Sequence, residues 1–155
     1  MRNHIVCIAS DFKGNEFIEE AQNSGWHVTL VTRDDLKDAN WSWTSLNEVV
    51  TIPKESQEED YLRAGVNHAS KMPVHHVVGL DEFDVLPSAR TREYLQIFKG
   101  LSRSHALRFR DKLTMRSIAS ANGVDCPEFL GVFNPKDINN YLETVPAPWI
   151  IKPRT

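Results

Sequence analysis

Short unbroken apolar runs alternate with helix-spaced stripes along this chain. His4-Ile5-Val6-Cys7-Ile8-Ala9 has almost no polar interruption, which predicts a strand covered on both faces. Residues 10–14 are polar and predict a turn. Residues 15–24 then place Phe17, Ile18 and Ala21 on one helix face, with Gly25 as the stop. His27-Val28-Thr29-Leu30-Val31-Thr32 is β-branched and predicts a second strand. Residues 33–45 are polar around Trp41 and Trp43 and predict a loop or short helix.

The alternation continues. Glu48-Val49-Val50-Thr51-Ile52 predicts a third strand closed by Pro53, and residues 58–70 a helix with Tyr61, Leu62, Val66 and Ala69 at helical spacing. Residues 75–80 predict a fourth strand with Asp81-Glu82 at its carboxyl end. Residues 85–98 predict a helix that tolerates Pro87 in its first turn. Strands alternating with helices favour an α/β fold, a Rossmann-like open and mostly parallel sheet covered on both faces. Lys99-Gly100-Leu101-Ser102 interrupts the pattern and divides the chain into residues 1–98 and 99–155. Beyond the break, residues 111–122 predict a helix and Phe129-Leu130-Gly131-Val132 a short strand. Asn134-Pro135 starts a further helix to about residue 143, and Trp149-Ile150-Ile151-Lys152 reads as a closing strand.

Composition narrows the class. At 155 residues, with 41% hydrophobic and 25% charged residues, the chain suits one domain, or one small domain plus part of another. A net charge of -3 argues against bulk binding to nucleic acid, despite the local basic residues Arg103, Arg108, Arg110, Lys112 and Arg116. Cys7 lies in an apolar run and Cys126 beside Pro127, without disulfide or metal-ligand spacing. No stretch has the length of a signal-peptide core or a membrane span. A reduced, cytoplasmic protein with no membrane partner is the expectation.

Phosphate signatures can be tested directly, because the chain has only seven glycines. None opens G-x-G-x-x-G or G-x-x-x-x-G-K-[ST], so the turn after the first strand is expected to be plain. Ser102-Arg103-Ser104-His105 places serine and histidine close in sequence, whereas a nucleophilic triad is assembled from distant positions. The rings of His75 and His76 on one strand point to opposite faces and cannot chelate together. No catalytic residue and no metal ligand is assigned.

Two lysines remain. Lys112 stands in the first turn of a predicted helix and Lys152 at the end of a predicted strand. A phosphate chain needs fixed positive charge from two angles, and a rigid backbone supplies it. Either lysine alone is equally at home snorkelling to water.

Gly100-Leu101-Ser102, Arg110-Asp111-Lys112-Leu113-Thr114-Met115-Arg116, Asn122-Gly123-Val124-Asp125-Cys126-Pro127 and Trp149-Ile150-Ile151-Lys152-Pro153-Arg154 follow one another in the chain, and in this order they resemble the ATP-grasp superfamily. The resemblance implies a Rossmann-like preATP-grasp domain over residues 1–98 and the beginning of an incomplete α+β ATP-grasp domain over residues 99–155. By position it implies that Lys152 and Lys112 contact ATP phosphates and that Glu82 faces the substrate. For Glu82 the plain alternative is an acid favoured by a helix N-terminus.

The same resemblance implies ATP and magnesium as cofactors, with the glycine-rich lid and the magnesium ligands beyond residue 155. The chain would then be the N-terminal piece of an ATP-dependent carboxylate–amine ligase working through an acyl phosphate, inactive by itself, with small-molecule carboxylate and amine substrates. A receiver-like signalling module is the rival reading, and it lacks the acid cluster such modules carry after the first strand. Trp41 and Trp43 leave a homodimer open, because they either form an interface or fold onto the sheet edge. Without partner strands, Trp149, Ile150 and Ile151 would present an exposed apolar edge.

Overall fold

The structure is a computed structural model that describes residues 3–155. Four strands form one sheet: β1 (His4–Ala9), β2 (His27–Arg33), β3 (Glu48–Ile52) and β4 (His76–Gly79). Their order is β3-β2-β1-β4, and every pairing is parallel. Among the described residues six α-helices accompany them: α1 (Asn15–Asn23), α2 (Glu58–Ala69), α3 (Val85–Tyr94), α4 (Arg103–Arg110), α5 (Lys112–Ala121) and α6 (Pro135–Thr144). The chain forms two compact units, Met1–Ala106 and Leu107–Thr155, with α4 running across the division.

The period-2 geometry of a strand explains the core of the first unit. Ile5, Cys7 and Ala9 of β1 point to one face, where they meet Val28, Leu30, Ile18, Ala21 and Trp41. Val6 and Ile8 point to the other, against Val31, Val77, Ile52, Tyr61 and Ala64. Both faces are covered, so β1 reads as a solid apolar run, and each fully buried Ile or Leu contributes about 1.5–3 kcal/mol. Burial also pushes the Cys7 thiol up to about 12, which makes it an inert core residue.

Several sequence expectations are corrected. Phe17 is exposed, leaving Ile18 and Ala21 as the inward residues of α1. Trp41 is buried and donates its indole N–H to the Leu36 carbonyl at 2.9 Å, while Trp43 is exposed. The helix expected over residues 85–98 stops at Tyr94, and Gln96 adopts a left-handed φ of 57°. α4 was not expected as a separate helix. Ser102 caps it by accepting the His105 N–H at 3.2 Å. The Ser102 hydroxyl also meets His105 Nδ1 at 2.6 Å, as part of this exposed cap.

The largest departure lies in the second unit. Neither residues 129–132 nor residues 149–152 form a strand. A strand exists by pairing, and among the described residues no ladder reaches these segments. Ile150 and Ile151 are 77% and 85% exposed.

Candidate functional site

The sheet order places a topological switch point between β1 and β4. The connections from β1 build outward through β2 to β3, and the chain then returns to the far side of β1 to lay down β4. In open parallel sheets the crevice at the carboxyl ends of such strands is the usual ligand position. Here it is framed by residues 10–14 after β1 and residues 80–84 after β4.

Asp84 ties these two loops together. It is fully buried, and its carboxylate accepts the Ser10 N–H at 3.0 Å and the Asp81 N–H at 3.1 Å. Burial raises its pKa to about 6, against the lowering effect of its bonds from Ser10 and Asp81. Lys13 spans the crevice to Asp81 with Nζ–Oδ2 at 2.7 Å. That bond is also the main reason the lysine titrates higher than usual. Two glycines permit the close packing. Gly14 is left-handed at φ 92°, and a Cβ at Gly79 would lie 2.6 Å from the Asp84 carbonyl oxygen. Residues 10–14 are thus a turn held by glycine, as the missing phosphate signatures imply.

Glu82 follows β4 at the carboxyl end of the sheet, at the first position of the 3-10 helix Glu82–Asp84. Its side chain is exposed, and its N–H donates to Asp81 Oδ1 at 2.6 Å. Asp84, two residues on, had no sequence signal, because a buried acid in Asp81-Glu82-Phe83-Asp84 looks like its exposed neighbours.

The second unit holds both candidate lysines near one corner. Asp111 caps α5, accepting the N–H groups of Leu113 at 3.0 Å and Thr114 at 3.2 Å. Arg154 clamps the same carboxylate through Nε at 3.2 Å and through Nη2. The Lys112 N–H donates to the Arg154 carbonyl at 2.8 Å, closing the corner through the backbone. The Arg154 guanidinium, followed by the backbone donors, holds the Asp111 pKa down to about 2.

Asp111 and Arg154 therefore neutralise each other. Lys112 and Lys152 have no carboxylate within ion-pair distance among the described residues. Lys152 is exposed and lies two residues from the clamp. Lys112 is half-buried at the positive end of a ten-residue helix. Arg154 had no assigned role in the sequence reading. Its signal was an Asp at a predicted helix N-cap with an arginine on the segment expected to pair nearby.

No protein-family profile and no curated protein sequence matches the chain. Solved structures do. An L-amino acid ligase from Bacillus licheniformis superposes with a TM-score of 0.76 at 23% identity, over 90% of this chain and 33% of the ligase. A phosphoribosylglycinamide synthetase from Anaerococcus prevotii gives 0.71 at 14% identity, over 96% and 36%. An N5-carboxyaminoimidazole synthetase from Staphylococcus aureus, complexed with ADP, gives 0.69 at 18% identity, over 99% and 40%.

The chain has the fold of the N-terminal part of an ATP-grasp ligase. It spans about a third of the length of those structures. Its first unit is the Rossmann-like element of that fold. No helix among the described residues is long and apolar enough to cross a membrane. Magnesium asks for several oxygen ligands. Among the described residues the one close group of three metal-capable side chains is His4, His27 and His68, all nitrogen donors, and it does not fit magnesium. Neither His75 nor His76 belongs to that group.

Proposed function

We propose that this chain is the N-terminal part of an ATP-dependent ligase that activates a small carboxylate and joins it to an amine. On this reading residues 1–98 are the preATP-grasp domain and residues 99–155 begin the ATP-grasp domain. A carboxylate oxygen attacks the γ-phosphorus and the bond to the bridging oxygen breaks, releasing ADP and an acyl phosphate. The amine nitrogen then attacks the acyl carbon, phosphate leaves with its oxygen, and the amine loses a proton.

The Asp111 corner carries the reading. An arginine that neutralises Asp111, beside two lysines without an acidic partner among the described residues and the positive end of α5, suits a polyanion. Lys112 and Lys152 are assigned to the ATP phosphates, where they offset charge on the transferred group. Glu82, after β4 at the carboxyl end of the sheet, is assigned to the substrate. Magnesium, when bound, neutralises phosphate charge, and its ligands are assigned to residues beyond 155.

The test is ATP binding, with magnesium, by the full-length product of the gene. Lys152→Ala and Lys112→Ala should each weaken ATP at least about tenfold, as expected for loss of one charge-assisted contact worth about 1.5–3 kcal/mol. Lys136→Ala, on exposed α6, should leave it unchanged. The 155-residue chain alone should bind ATP poorly. Unchanged affinity in Lys152→Ala, or tight binding by the short chain, rejects the assignment.

A further inference from the structure

The edge of the sheet opposite the switch point gathers three histidines. His4 opens β1, His27 opens β2 directly across from it, and His68 lies in the last turn of α2. One ring nitrogen of each lies within 4.8 Å of the other two. The rings meet edge to face, with centroids 4.9 Å apart for His4 and His27 and 4.8 Å for His4 and His68. His4 and His68 are buried, and His27 is half-buried.

Hydrogen bonding decides which lone pairs face inward. His4 Nδ1 lies 3.2 Å from the Pro73 carbonyl oxygen, which can only accept, so Nδ1 carries the proton. His4 Nε2 is then a bare nitrogen, 3.0 Å from Thr29 Oγ1. His68 Nε2 reaches the same hydroxyl at 3.1 Å. The hydroxyl donates its one proton to His4 Nε2 and accepts from His68 Nε2 in the tautomer that protonates that atom. His68 Nδ1 stands 3.5 Å from Glu48 Oε1 without a hydrogen bond, and His27 Nε2 is buried without a partner.

Two orphaned ring nitrogens in one buried cluster call for an explanation. Protonation does not supply it. Burial drives the His4 pKa down to about 4 and lowers that of His68, which disfavours charging either ring. Neutral imidazoles whose far nitrogens are held by a carbonyl or carboxylate are the usual arrangement around zinc.

We propose that His4, His27 and His68 form a binding site for one divalent transition-metal ion of the zinc type, ligated through one ring nitrogen of each. Pro73 anchors the Nδ1–H of His4 from behind, and Glu48 Oε1 lies 3.5 Å from His68 Nδ1. Three atoms no more than 4.8 Å apart lie within about 2.8 Å of a common centre. Bonds of about 2.0–2.1 Å therefore need inward shifts under about 1 Å, which side-chain rotations provide. An all-imidazole set selects zinc, nickel, cobalt or copper over magnesium and calcium. The ion would pin β1, β2 and α2 together at the amino edge of the sheet, independently of the ligase reading.

The test is calorimetric titration of the chelator-stripped chain with Zn2+ near neutral pH. One ion per chain should bind, and melting temperature should rise with Zn2+ but not with Mg2+. His27→Gln and Glu48→Gln should each weaken Zn2+ about tenfold or more. His105→Gln, on the exposed start of α4, should not. Affinity should fall in acid, because the ligands must be deprotonated. Undiminished affinity in His27→Gln, or an equal loss in His105→Gln, overturns the proposal. Should His27→Gln fail to fold, X-ray absorption on the zinc-loaded parent decides. Three imidazole nitrogens at about 2.0–2.1 Å are expected, and a shell with fewer overturns it.

Discussion

Replacing Gly79 with alanine probes the packing that builds the switch-point crevice. A Cβ there would stand 2.6 Å from the Asp84 carbonyl oxygen, 2.7 Å from its carbonyl carbon and 2.9 Å from its Cβ. Two of these three atoms are backbone, so no flexible side chain can swing away. The segment at residues 81–84 must move as a body, or the end of β4 must bend. Forced overpacking of this kind costs about 1–3 kcal/mol. For a domain of this size that is a melting temperature lower by roughly 4–12 °C. Gly25→Ala is the control, since nothing lies within 4 Å of its Cβ and only its φ of +82° resists. Its cost is conformational, about 1 kcal/mol. Thermal melts compare the two. Backbone amide chemical shifts then separate the causes. Gly79→Ala should perturb the Ser10 and Asp81 amides, which donate to Asp84, and Gly25→Ala should not. A Gly79→Ala protein that melts within about 2 °C of the parent with unmoved Ser10 and Asp81 amides would refute the close approach and the placement of Glu82 that depends on it.

Acid titration should show two opposing contributions. His4 is depressed to about 4, so its contribution is present above ~6.5 and is lost as pH falls towards 4. Asp84 is raised to about 6, so its contribution is present below ~4 and is lost as pH rises through 6. The lowered His68 and His76 add to the rise of stability with pH in the same window, so against the parent Asp84→Asn should climb more steeply and His4→Gln less steeply by chemical denaturation between pH ~4 and ~6.5. A slope unchanged from the parent in either variant would contradict the assignment of that group. Trp41→Ala removes a buried ring and its bond to the Leu36 carbonyl, and should cost about 3–5 kcal/mol by urea melts. Asp111→Asn keeps the cap but weakens the Arg154 clamp. Proteolysis of residues 145–155 should accelerate, and an unchanged rate would mean the clamp does not hold that segment.

The first unit was legible because each element is specified locally. β1 is apolar at every position after His4, which only a doubly covered strand explains, and β2 and β3 carry the β-branched residues that fit beside it. Gly25 and Pro53 mark ends that the structure respects. Two kinds of information were not local. α4 has no apolar stripe strong enough to announce it, and it is held by the buried Ala106, by the Arg103 guanidinium on Glu58, 2.6 and 3.1 Å away, and by the Arg103 N–H on Glu93 at 2.8 Å. Trp41 sits in a polar stretch, and only tertiary packing decides that it turns inward while Trp43 does not.

The second unit reverses the relation between pattern and structure. Trp149-Ile150-Ile151 has the composition of a buried strand and is exposed, because strand propensity expresses a fit to neighbours rather than a backbone preference. Helices need no such partner, and α5 and α6 form where Asp111 and Asn134-Pro135 start them. Resemblance to a family pointed to Lys112 and Lys152 as residue types in order. The structure adds Arg154, which binds Asp111 by side chain and Lys112 by backbone. A lysine beside an unpaired aspartate would spend its charge on that neighbour. On the proposed function, the aspartate's occupation by an arginine leaves the charge of both lysines to a ligand. Arg154 would then contribute by removing a competitor, a contact visible only once position 154 is folded back onto position 111.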